Sequence, residues 1–231
     1  MNSLSRLLPS KPTPFIFELG PHQLHISADR TIYWPAERAL LLADLHLGKA
    51  THFRKHGVYV PGDVIQKELL RIETAILHHQ PLAIYILGDL FHASYNAEWP
   101  LFVELMHQYA HLRWVLLKGN HDVLGRGTYE EAGFEVVDDR LMVHNVVLAH
   151  KPEAVAELSE DEFAIVGHIH PGYTLGAKGL PGKVRMPCCW LSGRRLVLPA
   201  WGSFTGLDIV QAKAGDHLFL LTENAVWPHK V

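Results

Sequence analysis

Five apolar segments of this sequence each end in polar residues of the kinds that bind metals. The segments are Ala39–Ala43, Ala83–Leu87, Arg113–Leu117, Val146–Leu148 and Phe163–Val166. Each is short and nearly continuously apolar, which is typical of a strand buried on both faces of a sheet. In open α/β sheets, active sites gather in the crevice beyond the carboxyl ends of the strands. The pattern therefore predicts that the polar residues converge on one crevice.

The polar residues that follow these strands are carboxylates, imidazoles and one amide. They are Asp44, His46, Asp89, Asn120, His121, Asp122, His150, His168 and His170. Glycines at Gly88, Gly119 and Gly167 let the backbone turn sharply beside the crevice. The chain has 17 histidines in 231 residues, so any one of these motifs arises easily by chance. Their occurrence in order, each after an apolar strand, is what indicates a functional site.

The chemistry of these side chains favours a pair of transition-metal ions. A mixed set of Asp, His and Asn suits Mn²⁺, Fe or Zn²⁺ better than Ca²⁺, which prefers oxygen ligands throughout. The candidate ligands exceed what one ion needs, and they suit two ions that share a bridging carboxylate. Two such ions can hold a phosphate group and lower the pKa of a bound water. The sequence therefore predicts a dimetal site that acts on a phosphate ester.

The composition excludes several other classes of protein. Hydrophobic residues make up 48% of the chain, which is enough for a packed core and argues against disorder. With 21 Lys and Arg against 24 Asp and Glu, bulk positive charge does not attract nucleic acid. Cys188 and Cys189 are adjacent, so a disulfide between them would be strained, which favours a reducing, cytoplasmic compartment. No apolar stretch is long enough to span a bilayer, so we expect no membrane association.

The remaining pattern predicts helices between the early strands and a β-rich second half. Apolar residues recur at helical spacing over Val64–His79, and Ala97–Ala110 is a second predicted helix. Further strands are predicted at Phe15–Leu19, Leu24–Ser27, Thr31–Trp34, Phe134–Val137, Leu141–Val143, Val184–Met186, Leu196–Leu198 and Leu218–Leu221. Prolines in residues 1–14 predict a flexible arm, and residues 15–231 a single domain. Two packed sheets with helices outside are the expected architecture.

In form and order, the five motifs resemble those of the calcineurin-like metallophosphoesterase superfamily. The resemblance runs from about Leu40 to Gly206 and implies a four-layer α/β/β/α sandwich with two mixed β-sheets. It implies that Asp44, His46 and His170 hold the first metal. It likewise implies that Asp89 bridges the two metals and that Asn120, His150 and His168 hold the second.

The same resemblance implies roles for two residues that are not ligands. His121 would contact the phosphate and assist the leaving group as a general acid, and Asp122 would orient His121. His92, which closely follows Asp89, is expected to support the metal ligands. His150 precedes Lys151-Pro152, whereas many superfamily members have glycine after this histidine. That departure changes the rim of the pocket and leaves the ligand in place.

Three further stretches resemble the bacterial ligase-associated DNA-repair metallophosphoesterases. They are Asp44–Lys49 continuing to Phe53–Gly57, Arg185–Cys188, and Leu198–Gly206. The resemblance implies a manganese-dependent DNA endonuclease or phosphodiesterase. Its implied functional associates are a helicase, a nuclease and an ATP-dependent DNA ligase.

The expected substrate is DNA, single-stranded or distorted, held by a few local basic residues. Lys49, Arg54 and Lys55 follow the first motif, while Lys118 and Arg126 flank the third. The candidates for phosphate contacts are Arg54, Lys49, Asn120 and His121. Arg54 is the leading one, because the guanidinium group matches the geometry of phosphate. Solvated loop charge is the alternative for each basic residue. The alternatives for the whole chain are a phosphatase, a phosphodiesterase of cyclic nucleotides or small molecules, and a non-catalytic scaffold.

Overall fold

The structure is a computed structural model that describes residues 13–57, 59–91, 98–176 and 182–231, apart from the side chain of Lys55. Residues 1–12 of the predicted arm and His92 lie outside the described residues. No helix in the described ranges is both long enough and apolar enough to cross a membrane.

The first sheet contains seven strands that follow one another in chain order. They are β1 (Phe15–Leu19), β2 (His22–Ile26), β3 (Ile32–Trp34), β4 (Ala39–Leu42), β5 (Ala83–Leu87), β6 (Arg113–Leu117) and β7 (Phe134–Val137). Strands β1 to β4 pair antiparallel, and β4 to β7 pair in parallel. The carboxyl ends of β4, β5 and β6 therefore lie at the same edge of the sheet.

The second sheet contains the remaining nine strands. They are β8 (Arg140–Val143), β9 (Val146–Ala149), β10 (Phe163–Val166), β11 (Pro171–Gly176), β12 (Lys183–Ser192), β13 (Arg195–Val197), β14 (Asp208–Ile209), β15 (His217–Leu221) and β16 (Val226–Lys230). Their order is β14-β11-β12-β13-β10-β9-β8, with β15 pairing to β12 and to β16. Strand β10 pairs in parallel with β9 and β13, whereas β12 pairs antiparallel with β11, β13 and β15.

The structure describes four helices and one 3₁₀ turn outside the two sheets. They are α1 (Lys49–Lys55), α2 (Val64–His79), α3 (Glu98–Gln108) and α4 (Arg126–Glu131), with a 3₁₀ turn at Pro152–Val155. Ile72 and Ile76 of α2 and Phe102 of α3 pack on the outer face of the first sheet. On the outer face of the second sheet, Val155 of the 3₁₀ turn packs against buried strand residues.

The main core lies between the two sheets. Leu41 and Val115 of the first sheet are buried in one cluster with Leu148, Ile165 and Leu196 of the second. Because β4, β6, β9 and β10 are buried on both faces, their sequences are continuously apolar rather than alternating. The predicted layered α/β sandwich with two mixed sheets is confirmed. The outer layer described over the second sheet is a single 3₁₀ turn.

The long predicted elements match, and the short ones account for the differences. Helix α2 has the predicted bounds, and the second predicted helix is α3, which ends two residues earlier than predicted; its predicted first residue, Ala97, lies outside the described residues. Helices α1 and α4 were not predicted, because seven and six residues cannot establish an apolar stripe. Strand β12 extends over ten residues, of which the sequence predicted only Val184–Met186. Strand β11 begins at Pro171-Gly172, which are unfavourable strand residues.

Candidate metal centre

The loops that follow β4, β5, β9 and β10 are joined by backbone hydrogen bonds. Asp44 N–H donates to the carbonyl of Gly88 (3.1 Å), and His46 N–H donates to the carbonyl of Asp89 (2.9 Å). In the second sheet, Gly167 N–H donates to the carbonyl of His150 (3.1 Å). These bonds join the loops in two pairs, one within each sheet, and His168 N–H connects the pairs by donating to Asp44 Oδ2 (2.9 Å).

The crevice contains two groups of three side chains that could each hold a metal ion. Asp44, His46 and His170 form one group, and Asp89, His150 and His168 form the other. Within each group, one ligand atom from every residue lies within 4.8 Å of the others. The first group is the set expected for the first metal. The second contains the expected bridging carboxylate and two of the expected ligands of the second metal.

The first group has the chemistry of a cation site. His46 Nε2 lies 3.3 Å from His170 Nε2, and His170 Nε2 lies 3.4 Å from Asp44 Oδ1. Asp44 is completely buried, and its Oδ1 accepts no hydrogen bond from the described residues. A buried carboxylate oxygen without a donor is costly unless a cation neutralises it. The residues of this group therefore fit a divalent ion.

In the second group, one hydrogen bond fixes the direction of the histidine lone pair. His150 Nδ1 donates to the carbonyl of Leu87 (2.9 Å), so the lone pair of the neutral ring lies on Nε2. Nε2 faces His168 Nδ1 at 3.1 Å, Asn120 Oδ1 at 3.2 Å and Asp89 Oδ1 at 3.5 Å. Such a convergence of acceptors suits a cation placed between them.

Burial also lowers the pKa of the imidazole of His168. Desolvation, reinforced by the neighbouring His150, lowers the pKa of the His168 imidazole. A lowered pKa favours the neutral ring, which is the form that binds a metal. Asn120 Oδ1 lies close enough to His150 to serve as the fourth ligand that was predicted for the second metal.

The backbone at the ligands is strained. Five of the six residues in the two groups have positive φ angles: Asp44 (55°), His46 (48°), Asp89 (49°), His168 (72°) and His170 (53°). A non-glycine residue in this region costs of order 1–3 kcal/mol and persists only where its surroundings enforce it. The hydrogen bonds between the loops supply that enforcement. Asp and His are among the non-glycine residues found most often in the left-handed region, but their identity alone does not predict that five of them adopt it together.

Two glycines leave space for ligand side chains. A Cβ on Gly88, whose φ is 79°, would lie 2.2 Å from His150 Nδ1. A Cβ on Gly119 would lie 2.2 Å from Asp89 Oδ1. Both positions therefore need glycine because a ligand occupies the space that any side chain would fill.

The ring of His121 lies beside the first ligand group, and its backbone N–H is hydrogen-bonded to Asp89 of the second group. Its ring centroid is 5.3 Å from that of His46, with the two rings nearly perpendicular. Its N–H donates to Asp89 Oδ1 (2.9 Å). This placement supports the expected role of His121 at the phosphate, which stays a prediction.

Asp122 binds the backbone of the loops that carry the ligands. Its Oδ1 accepts from Leu90 N–H (2.9 Å) and Phe91 N–H (3.4 Å), and its Oδ2 accepts from Gly119 N–H (2.8 Å). Burial raises the pKa of this carboxyl to about 6. The hydrogen bonds described for Asp122 thus hold two loops together, and the expectation that it orients the His121 ring stays a prediction.

The basic residues predicted to contact phosphate have different surroundings. Lys49 lines a small cavity together with His46, and burial lowers its pKa against the opposing effect of Asp89. Arg54 is exposed, and its guanidinium donates to Ala50 O (3.4 Å) and Thr51 Oγ1 (3.2 Å). Its contacts therefore lie within its own helix, and its predicted phosphate contact stays a prediction.

The two basic residues that flank the third motif also differ. Lys118 lines an open cavity with Asn120 and His150. Arg126 forms ion pairs with Glu130 and Asp138 and donates to the carbonyl of Val136. Arg126 is therefore engaged in structural contacts.

Sequence reasoning missed the residues whose hydrogen bonds hold the backbone at Asp44 in place. Trp201 N–H donates to the carbonyl of Ala43 (2.8 Å), and Gly202 N–H donates to the carbonyl of Asp44 (3.2 Å). Arg71 and Glu68 of α2 in turn bind this segment: Arg71 donates to the carbonyl of Trp201, and Glu68 accepts from the N–H of Ser203. The stretch Leu198–Gly206 resembles the ligase-associated metallophosphoesterases in sequence, but nothing in that sequence predicts its contact with Asp44.

The fold and the site together define a metal-dependent phosphoesterase, since two ligand groups face each other at the carboxyl ends of strands in a layered α/β sandwich. The sequence matches the calcineurin-like phosphoesterase family over residues 37–150. The chain belongs to that family. The family implies divalent metal ions, and the two groups of ligands described above fit them.

Solved structures add a more specific similarity. The nuclease MPE of Pseudomonas putida is 29% identical, with a TM-score of 0.77 over 94% of this chain and 100% of that chain. This match supports the finer resemblance to the ligase-associated family. YfcE, a phosphoesterase from E. coli, is 14% identical, with a TM-score of 0.47 over 83% of this chain and 98% of that chain. No curated protein matches the chain.

Proposed function

We propose that this protein is a manganese-dependent endonuclease that hydrolyses phosphodiester bonds of single-stranded or distorted DNA. The observation that carries the proposal is the pair of adjoining ligand groups with His121 beside them, in a chain similar to a nuclease over 94% of its length. The choice of DNA rests on that nuclease. The expected roles in repair and beside a DNA ligase, helicase and nuclease are part of the proposal.

The two ligand groups would each hold one ion, and together the ions would supply positive charge for the phosphate oxygens and a water of lowered pKa. Asp44, His46 and His170 would hold one, and Asn120, His150 and His168 the other, with Asp89 between them. Manganese is proposed because the ligase-associated family that the sequence resembles implies a manganese-dependent enzyme; the mixture of carboxylate, amide and imidazole ligands suits Mn²⁺, Fe and Zn²⁺ alike.

The chain itself would supply the proton for the leaving group and part of the phosphate contact. His121 is partly exposed at the crevice. Its backbone N–H donates to Asp89 Oδ1, and this hydrogen bond fixes the position of the backbone from which the imidazole extends. A protonated His121 ring would hydrogen-bond a phosphate oxygen and donate its proton to the departing oxygen. Lys49 and Asn120 would bind phosphate oxygens at the rim of the crevice, and Arg54 a more distant phosphate.

A closed single-stranded DNA circle and a simple aryl phosphomonoester distinguish the proposed activity from a phosphatase. Metal-stripped protein is supplied with Mn²⁺ and offered each substrate in turn. We expect nicking of the circle, because a closed circle is cut only by an endonuclease. We expect the nicking to disappear in His121→Ala and in Asp89→Ala.

Two outcomes would contradict the proposal. Turnover of the monoester with an intact circle would indicate a phosphatase. No turnover of either substrate, in protein that binds Mn²⁺, would indicate a non-catalytic scaffold. The native metal is tested separately by adding Zn²⁺, Fe²⁺ or Mg²⁺ in place of Mn²⁺, with nicking as the readout.

A further inference from the structure

An open groove of about 830 Å³ lies next to the segment that supports Asp44. Three arginines, Arg30, Arg71 and Arg185, line it, and we call it the arginine groove. Met186, Pro187 and Val184 contribute apolar surface to its wall, with 62% of Val184 exposed. Basic and apolar groups in one open channel match the alternating phosphates and sugars of a nucleic-acid strand.

The arginine groove adjoins a small cavity beside the first ligand group. Ser203 lines both this groove and that cavity, which also contains His46 and Lys49. Hydrogen bonds link the two regions: Arg30 Nη1 donates to Gly202 O (3.3 Å), and Gly202 N–H donates to the carbonyl of Asp44 (3.2 Å). The groove therefore lies on the side of the metal centre that carries Asp44 and His46.

Arg30 keeps donors available. It uses only Nη1, toward the carbonyls of Ala200 and Gly202, so its Nε and Nη2 have no acceptor among the described residues. Arg71 lies close by, stacked 4.1 Å over the ring of Trp201, and its Nη1 and Nη2 already donate to Glu68, Trp201 O, Ser203 Oγ and Asp29 O. Burial and then the nearby Arg71 lower the pKa of Arg30, whereas Glu68 raises it. A bound anion would add to the compensating charge that Glu68 supplies.

Of the acidic groups near the groove, Asp29 bonds to Thr31 and Glu68 pairs with Arg71. Asp29 Oδ1 accepts from the N–H and the hydroxyl of Thr31, and Glu68 is buried beneath Arg71. Glu223 lies at the rim. Arg185 is exposed and has no ion-pair partner among the described residues.

A second open cavity, which includes Asn120 and His150, is less suited to a phosphate strand. It is lined by Lys118 and Lys151 together with four carboxylates, those of Asp122, Asp138, Asp139 and Glu153. Of these two cavities, the arginine groove therefore has the more favourable charge for a polyanion.

We propose that the arginine groove binds the nucleotide adjacent to the scissile phosphodiester, with Arg30, Arg71 and Arg185 at its phosphate and Val184, Met186 and Pro187 against its sugar. The proposal rests on the proposed function and names where the strand lies. Single-stranded DNA is the occupant, since a groove open along its length accepts a flexible strand more readily than a straight duplex.

Arg185→Ala tests the proposal, because this side chain is exposed and its loss leaves the Asp44 support intact. Arg140→Ala is the matched control: Arg140 is an exposed arginine of edge strand β8 in the same sheet and does not line the groove. Binding of a labelled single-stranded oligonucleotide is measured by fluorescence anisotropy on metal-stripped protein in EDTA, so no cleavage is required. Arg30 and Arg71 are left unchanged, since both hold residues 200–203 in place.

We expect Arg185→Ala to weaken oligonucleotide binding about tenfold and to reduce the slope of log affinity against log salt by about one. Arg140→Ala should change neither quantity. With Mn²⁺ present, Arg185→Ala should raise the KM for the oligonucleotide and leave hydrolysis of a small aryl phosphodiester, which cannot reach the groove, within twofold of wild type.

The groove proposal is wrong if Arg185→Ala and Arg140→Ala bind the oligonucleotide equally well, or if Arg185→Ala slows both substrates alike. A failure of the proposed endonuclease activity appears differently. In that case wild-type protein would leave DNA uncut, while the anisotropy comparison of the two variants would still decide whether the groove binds a strand.

Discussion

Gly88 lies directly against the imidazole of His150, so closely that a Cβ built on the glycine would be 2.2 Å from Nδ1. The same imidazole nitrogen donates to the carbonyl of Leu87. The end of β5 therefore places a ligand of the second sheet in two ways: the Leu87 carbonyl accepts a hydrogen bond from the imidazole, and Gly88 leaves space for the ring. No other residue type at position 88 keeps both features, because each would displace the ring.

Gly88→Ala should abolish Mn²⁺ binding at the second ligand group and lower hydrolysis at least a hundredfold. Gly57→Ala is a matched control, since Gly57 has nearly the same φ (78° against 79°) but nothing within 4 Å of its Cβ position. The control should lose only about 1 kcal/mol of unfolding free energy from the left-handed backbone. Isothermal titration with Mn²⁺ and chemical denaturation separate the two effects. Equal metal affinities in the two variants would refute the steric explanation.

Asp122→Ala should destabilise the metal-free protein by more than 2 kcal/mol, an order-of-magnitude expectation for three backbone donors left without their acceptor. Asp138→Ala should cost about 0.2–1 kcal/mol, because its ion pair with Arg126 is exposed. Urea denaturation of both variants measures the difference. Similar losses in the two would show that the Asp122 bonds contribute no more than a surface ion pair.

The cost of Asp122→Ala should also depend on pH. The folded pKa of Asp122, about 6, lies above the ordinary aspartate value of about 3.9. Protonation therefore stabilises the folded state, fully below the unfolded pKa, and this contribution disappears as the pH rises through about 6. The difference in stability between wild type and Asp122→Ala should grow as the pH is lowered from 8 to 5, in metal-free protein. A difference that is constant over this range would contradict the raised pKa.

Glu68→Ala should weaken Mn²⁺ binding at the first ligand group about tenfold, because Glu68 holds the segment that supports Asp44. Glu68→Gln keeps an acceptor for the N–H of Ser203 and should restore most of the affinity. The control is Glu73→Ala on the same helix, where the side chain accepts a hydrogen bond from Tyr109 instead. Metal titration is the readout, because a general loss of stability would not change Mn²⁺ affinity selectively. Equal loss of Mn²⁺ affinity in Glu68→Ala, Glu68→Gln and Glu73→Ala would refute the positioning role.

Cys188 and Cys189 should not react with a thiol reagent while the protein is folded. Both are completely buried, and burial raises the pKa of Cys188 to about 12 and raises that of Cys189. The reactive thiolate is therefore scarce as well as inaccessible. Ellman's reagent should label two thiols in urea and none within minutes in buffer. Rapid labelling of the native protein would contradict this burial.

The layered sandwich and the convergence of metal-binding side chains could be predicted because both depend on patterns that a chain displays locally. Buried strands are recognisable as apolar runs, and the residues after them are metal ligands by type. Neighbouring strand residues face opposite sides of a sheet, and accordingly the structure places Cys188 and Cys189 in different core clusters.

The rest of the site depends on contacts between distant residues, which no local pattern reveals. The carboxylate of Asp122 follows His121 directly, yet its hydrogen bonds go to the backbone of residues 90, 91 and 119. The left-handed backbone at Asp44 and His46 is imposed by the Gly88 and Asp89 loop. Likewise, Glu68 and Arg71 are ordinary helical residues in the sequence, and only the fold brings them beneath residues 201–203.

Each ligand group takes side chains from both sheets: Asp44 and His46 meet His170, and Asp89 meets His150 and His168. An ion in either group would therefore cross-link the two sheets at the ends of their strands. The first sheet ends in the chain at Val137 and the second begins at Arg140, so the ion would join two halves of the chain that meet near Asp138. Neither half contains a complete group by itself. Metal loading would then report whether the halves have docked, and a chain cut at that point should regain two-metal binding only when both fragments are mixed.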